Sequence, residues 1–351
     1  MKPTTSARRA AILSFRLGGT DGVSIEAAKW RNALHLLGFH VVTVAGEGDA
    51  DHLLPGLAMS APEPPPAEAL AAALATVDVV VVENLCSLPL NRDAAVALAT
   101  ALAGRAAILH HHDLAWERTV FTGNDPGWPP DDPAWRHVCI SDQARDSLLL
   151  RRGLDPARVH RIYNTFDPSP RLGDRDGARS VLGVAPHEAL LLQPTRAIAR
   201  KNIPAAVALA EQLGATYWLL GEAEDGYDPT LETVLAGASV RLLRGPDGLD
   251  LASAYAACDV VTLLSTWEGF GNPCVEAGLH GRPVVVGEYP VASELAGLGF
   301  RWFTTEDVAA IGRYLADPDP AIAAWNGEIA RKHFSTADLP ERIDAVIGDR
   351  S

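Results

Sequence analysis

Residues 265–294 read STWEGFGNPCVEAGLHGRPVVVGEYPVASE, directly after the apolar run Val260-Val261-Thr262-Leu263-Leu264. The stretch sets Glu268 and Glu276 eight positions apart, around Gly269, Phe270, Gly271 and Pro273. A strand that gives way to a glycine turn and then to a helix makes a ligand-binding corner. Gly269 and Gly271 allow a sharp turn and a close backbone approach to a ligand, and Asn272-Pro273 suits the first turn of a helix. The N–H groups of such a turn face the strand end, where hydroxyl or anionic oxygens dock. Glu268 falls on the loop and Glu276 about one turn inside the helix, so both can accept hydrogen bonds from the hydroxyls of a sugar or ribose. The same residues also suit a plain strand–turn–helix whose glutamates are solvated or cap the helix.

Working outward, 351 residues with 48% hydrophobic content leave room for two domains, each with its own core. The net charge of −14 disfavours a nucleic-acid or anionic-membrane surface, although a few focused cations still serve a phosphate ligand. Cys86, Cys139, Cys258 and Cys274 are widely spaced, with no paired zinc or redox motif, and read as small buried hydrophobes. Arg8-Arg9 precede a short apolar stretch that fits a first strand better than an export signal, and no run reaches membrane-span length. A cytoplasmic location is the expectation, with oligomeric state open.

Ala11–Leu17 reads as a strand followed by the loop Gly18-Gly19-Thr20-Asp21-Gly22, then by a helix with Ala27, Trp30, Leu34 and Leu37 on one face. The spacing lacks G-x-G-x-x-G, so a dinucleotide fingerprint is weakly supported; the loop suits either exposed N–H groups, at Gly19 above all, or a tight turn. Val77–Val82 delivers Glu83 and Asn84 to a strand end, the side on which open α/β sheets bind ligands. Arg105–Leu109 delivers His110, His111, His112 and Asp113. At most His110 and His112 share a face, which is poor metal geometry, and no metal site is expected. The Gly-, Pro- and Asp-rich stretch from Thr119 to Trp135 reads as a functional loop, an acceptor-site flap. Ser141 is a helix N-cap candidate. In the second half, strand-like runs at Ala189–Gln193, Tyr217–Leu220, Val240–Leu243, Val260–Leu264 and Val284–Val286 alternate with helices. After the first of them, Arg196 and Lys201 sit on a loop and at a helix mouth, where they either converge on one anion or stand as exposed basic residues.

Glu268 and Glu276 with seven residues between them, the EGFG turn, and Gly281-Arg282-Pro283-Val284-Val285-Val286 resemble the donor-site signature of family-4 retaining glycosyltransferases. The resemblance covers most of the chain. It implies an α/β protein with the GT-B fold, two Rossmann-like doubly wound domains facing each other across a cleft. The implied bounds are 1–165 for an acceptor-side domain, closed by Asn164-Thr165-Phe166-Asp167, then 166–335 for a nucleotide-sugar domain. Residues 336–351 would return toward the first domain.

The same resemblance implies a metal-independent hexosyltransferase that moves a hexosyl unit from a nucleotide-diphosphate sugar, UDP- or GDP-hexose, to a hydroxyl acceptor. Arg196 and Lys201 would hold the diphosphate, Phe270, Gly271 and Asn272 with Glu268 would orient the sugar, and Glu276 would hold the ribose. Arg244 would lie near the base, and His112 near the transferred sugar. No prosthetic group is implied; the nucleotide sugar is a co-substrate. A phosphorylase or nucleotide-sugar epimerase on the same fold, or a non-catalytic sugar-nucleotide-binding subunit, are the alternatives.

Overall fold

Alternate residues of the first strand point to opposite cores. Ala10 and Ile12 join one buried cluster, whereas Ala11, Leu13 and Phe15 join another. Such a strand is covered on both faces, which is why it reads as a continuous apolar run, the signature of a parallel sheet between helices.

The computed structural model describes residues 8–19, 21–118, 121, 127–246 and 248–348. Within them the chain divides into two compact units, 8–165 with 336–348, and 166–335. The first unit holds a parallel sheet of seven strands: β1 (Arg9–Leu17), β2 (His40–Gly48), β3 (His52–Leu53), β4 (Val79–Glu83), β5 (Ala107–His111), β6 (Trp135–Cys139) and β7 (Val159–Arg161). Their order is β3-β2-β1-β4-β5-β6-β7. The helix Gly22–Leu36 covers one face with Ala27, Trp30 and Leu34, joined there by Leu339, Ile343 and Val346 of the helix Leu339–Gly348. Asp21 caps the first of these helices by accepting from the Ser24 N–H.

The second unit repeats the plan with five parallel strands: β8 (Leu190–Gln193), β9 (Thr216–Leu219), β10 (Leu242–Arg244), β11 (Val260–Leu263) and β12 (Val284–Val286). Their order is β10-β9-β8-β11-β12. In both units the strand order reverses beside the first strand, between β1 and β4 and between β8 and β11. Ligands of doubly wound sheets bind beyond the strand ends at such a reversal. The loops that follow these four strands are therefore the places to look for chemistry.

The sequence ended one strand too early. β5 continues through His110 and His111, where the ladder pairs Glu83 with His110 and His111 with Cys139. Histidines are tolerated in this buried strand because their rings find polar partners on either side of the sheet. Ser141 does cap the helix Asp142–Arg152, accepting from the Ala144 N–H, an interaction of about 1 kcal/mol. The four cysteines are buried free thiols. Part of the expected flap, 119–120 and 122–126, lies outside the described residues. Among the described residues, no helix is long and apolar enough to cross a membrane.

Candidate functional site

In the second unit, the loop after β8 is pinned by the loop after β9. The Gly221 N–H donates to the Thr195 carbonyl, and a Cβ on Gly221 would lie 2.4 Å from that oxygen and 2.5 Å from Arg196 Cα. Only glycine admits this approach, and it fixes where Arg196 starts. Asn202 then takes a left-handed conformation (φ 52°) before the helix Ile203–Leu213, whose Pro204 stands in the first turn. That turn buries Lys201 at the helix mouth, 7% exposed.

The loop after β11 brings the opposite charge. Glu268 is 6% exposed. Its Oε1 accepts from Lys201 Nζ (2.5 Å) and from Ser265 Oγ (2.5 Å), and its Oε2 accepts from Arg200 Nη1 (2.7 Å). Arg200 Nη1 also donates to the Trp267 carbonyl at 2.9 Å. Burial pushes the Glu268 carboxyl up, but Lys201 and Arg200 outweigh it and hold the group below its ordinary value. Burial draws Lys201 down, Glu268 opposes, and Arg200 and Arg196 add to the fall, so the three cations share one field. Arg196 itself is 41% exposed and ion-paired to Glu224 at 2.6 Å.

Gly271 starts the helix Asn272–Leu279 at φ +107°, and a Cβ there would lie 2.3 Å from the Tyr289 hydroxyl. Both the conformation and the space require glycine. Phe270 is buried, stacked with Phe166 and edge-on to Phe334, which leaves its backbone to define the turn. Glu276 Oε2 accepts from the Tyr255 hydroxyl at 2.7 Å, and Tyr255 stacks on His280 at 4.8 Å. Arg244 stands elsewhere, at the end of the edge strand β10, paired to Glu232 at 2.6 Å.

In the first unit, Gly18 (φ +78°) and Gly19 follow β1 and lead into the Asp21 cap, with a Gly19 Cβ placed 2.9 Å from Asp21 Oδ2. Across the strand reversal, Glu83 is fully buried at the end of β4. Its Oε2 is shared by His110 Nδ1 (2.8 Å) and His112 Nε2 (2.7 Å). Burial pushes Glu83 up, but the two imidazoles prevail and hold it at about 2. Burial lowers His110; for His112 the bond to Glu83 outweighs burial and raises it. His111 points the other way, to Ser87 Oγ (2.7 Å) and His137 Nδ1 (2.9 Å). The strand alternation therefore separates His111 from the other two as anticipated, but it also gives His110 and His112 a shared carboxylate.

Arg196, Lys201 and Glu268 are thus brought into one electrostatic group, with Phe270, Gly271, Asn272 and Glu276 on the adjoining turn and helix. Arg244 is not part of that group. Sequence reasoning gave no role to Arg200, Glu224, Ser265 or Tyr255. Arg200 had a visible signal, its place beside Lys201, as had Ser265, three residues before Glu268; Glu224 and Tyr255 reach their partners across 28 and 21 positions, which no local pattern carries.

Residues 198–317 match the family model described as glycosyl transferases group 1. The chain is 25% identical to mannosylglucosylglycerate synthase of Thermotoga maritima, over 96% of this chain and 98% of that protein. It is 31% identical to a D-inositol 3-phosphate glycosyltransferase of Rhodococcus opacus, over 58% of this chain and 51% of that protein. Among solved structures it resembles Anabaena HepE in complex with UDP-glucose, with a TM-score of 0.74, 20% identity, and 97% and 99% of the two chains covered. The matched segment and the relatives support a group 1 glycosyltransferase, and the two parallel-sheet α/β units are of the GT-B type.

Proposed function

We propose that the protein is a retaining hexosyltransferase that uses a UDP- or GDP-hexose and a hydroxyl acceptor. The observation that carries this reading is the buried Lys201–Glu268–Arg200 group, with Arg196 in its field, at the strand reversal of the second unit. It lies within or beside the segment that matches the group 1 family model.

Departure of a nucleoside diphosphate places negative charge on the leaving oxygens, and preorganised cations are the largest available source of stabilisation. Arg196 and Lys201 supply it, so the diphosphate needs no metal in this reading. In the free chain both cations rest on carboxylates, Glu224 and Glu268. A diphosphate takes over those partners, while Arg200 and Ser265 continue to hold Glu268, which then meets the sugar hydroxyls. Glu276, oriented by Tyr255, accepts from the ribose, and the backbone at Phe270, Gly271 and Asn272 lines the sugar. Gly19 and His112 serve the acceptor-side unit. Retention follows from the resemblance to family-4 enzymes, with the departing phosphate guiding same-face attack. Arg244, at the end of the edge strand β10, stands at the expected base site in this reading. A cytoplasmic location belongs to the same reading.

UDP-glucose, the ligand named for HepE, is the first donor to test, with GDP-mannose second. A charge-assisted hydrogen bond contributes about 1.5–3 kcal/mol, so Lys201→Ala should weaken donor binding roughly ten-fold or more in calorimetry. Unchanged affinity in a folded variant sinks the diphosphate assignment. Radiolabelled-sugar transfer to an acceptor panel, with product anomer read by NMR, tests the reaction and its stereochemistry.

A further inference from the structure

The first unit contains a cluster, Glu83, His110 and His112, of which the proposed transfer uses only His112. Glu83 on β4 and His110 on β5 are register partners, and His112 lies two residues further on. The three ligating atoms, one from each side chain, all fall within 4.8 Å of one another. Glu83 is 0%, His110 1% and His112 7% exposed.

Two polar atoms of this cluster are left bare. Glu83 Oε1 and His110 Nε2 are buried without a hydrogen-bond partner among the described residues. A lost partner for a buried polar atom costs about 1–3 kcal/mol, and more for a charged one. The ion pairs that Glu83 makes are both to imidazoles. The nearby Lys29 is bonded to Glu26 and to the Thr165 carbonyl. As a purely structural device the cluster is therefore poorly made, because an apolar trio would fill the space without an unpaired carboxylate oxygen.

We propose that Glu83, His110 and His112 form a binding site for a divalent transition ion of the zinc class. Two imidazoles and one carboxylate suit such an ion, whereas magnesium and calcium favour shells made of oxygen. The nitrogens already aimed at Glu83 are the ligands, so the ion engages the carboxylate through its bare oxygen and leaves His110 Nε2 as it is. For them to bind, the neutral rings carry their hydrogens on His110 Nε2 and His112 Nδ1, and any proton displaced passes to solvent. Bond lengths near 2.0 Å in a tetrahedral shell set ligand atoms about 3.3 Å apart, so the present contacts open by roughly half an ångström.

The surroundings fix the rings. Asn84 Oδ1 accepts from the backbone N–H groups of His112 (3.1 Å) and Asp113 (3.3 Å), and Trp30 lies 4.4 Å from the His110 ring. Three protein ligands leave one tetrahedral position for water or a hydroxyl. The ion site stands apart from the donor reading, which assigns the diphosphate charge to Arg196 and Lys201.

The probe is zinc itself. Protein stripped with a chelator, equilibrated with zinc sulfate and desalted should retain about one ion per chain, and cobalt(II) in its place should give the visible absorption of a four-coordinate site. Loss of an outer partner alone weakens metal sites 10–100-fold, so Glu83→Gln and His112→Asn, which remove ligands, should weaken zinc binding by roughly 100-fold or more. If Glu83→Gln does not fold, His112→Asn, at the strand end, decides together with the cobalt spectrum. Wild-type protein that retains no zinc overturns the site, as do folded variants that retain as much as the wild type through other histidines. Donor binding is measured separately by calorimetry, so failure of either inference leaves the other standing.

Discussion

Glu268 of the second unit and Glu83 of the first are built on one plan and finished differently. Each is a buried carboxylate at the end of the fourth principal strand of its sheet, or just past it, and each accepts from two basic side chains. Glu268 is held by a lysine and an arginine, with both oxygens satisfied and a serine hydroxyl added. Glu83 is held by two imidazoles on one oxygen, and the other oxygen is bare. Permanent cations suit a site that exchanges one anion for another, a carboxylate for a phosphate. Imidazoles are also ligands, and they suit a site that exchanges a proton for a cation.

The largest effect should come from removing the carboxylate of the second unit. Glu268→Leu leaves Lys201 charged, 7% exposed and without its partner. Breaking a buried ion pair from one side costs about 3–5 kcal/mol. Replacing Lys201 by Met in the same chain should recover most of that loss. Glu83→Gln should cost less, about 1–3 kcal/mol, because imidazoles give up a proton near neutral pH at less cost than a lysine does. Urea unfolding followed by probes in each unit separates the two. Equal losses would dissolve the distinction between the clusters.

Local patterns carried much of this. Strand–helix alternation gave two doubly wound sheets because strands covered on both faces are apolar along most of their length, as β4 and β11 are. The glycine turn at Gly271 and the helix start at Asn202-Ile203-Pro204 are legible because special backbone conformations demand particular residues. What stayed hidden depends on register between distant segments. Glu83 meets His110 across 27 positions, Arg196 meets Glu224 across 28, and Glu276 meets Tyr255 across 21. No period of 2 or 3.6 encodes such pairs. The end of β5 was missed for a related reason: histidines look like loop residues until their partners on neighbouring strands are known.

A half-buried carboxylate sharpens the comparison by lacking a basic hydrogen-bond partner. Glu117 Oε2 accepts from the Leu114 backbone N–H at 2.7 Å. Burial pushes the carboxyl up to about 7, the backbone bond opposes, and Asp113 adds to the rise. The unfolded chain loses this proton at a lower pH, near the ordinary glutamate value of 4.5. The folded state therefore holds the proton more tightly, and stability falls as pH rises through the window from 4.5 to about 7. Glu117→Gln keeps an acceptor for Leu114 and removes the titration. The variant should be more stable than wild type at pH 8 by about 2 kcal/mol, after a discount for partial exposure, with the gap closing toward pH 4. A gap that does not vary with pH assigns the difference to packing instead.

The smallest effect concerns Glu276, whose Oε2 accepts from the neutral Tyr255 hydroxyl. Tyr255 is itself fully buried, and burial followed by the nearby carboxylate raises its hydroxyl well above the ordinary tyrosine range. The hydroxyl therefore stays protonated and acts as a fixed donor. Tyr255→Phe removes one hydrogen bond of about 1 kcal/mol while leaving the ring to stack on His280. If Glu276 binds the ribose and Tyr255 sets its rotamer, donor affinity should fall by about five-fold, with the diphosphate contribution of Lys201 intact. The measurement is calorimetry with UDP-glucose and with UDP. Both should weaken to the same degree, because both carry the ribose. Loss confined to the sugar nucleotide would place Glu276 at the hexose, and no loss in either would leave Tyr255 a packing residue and the carboxylate positioned by other contacts.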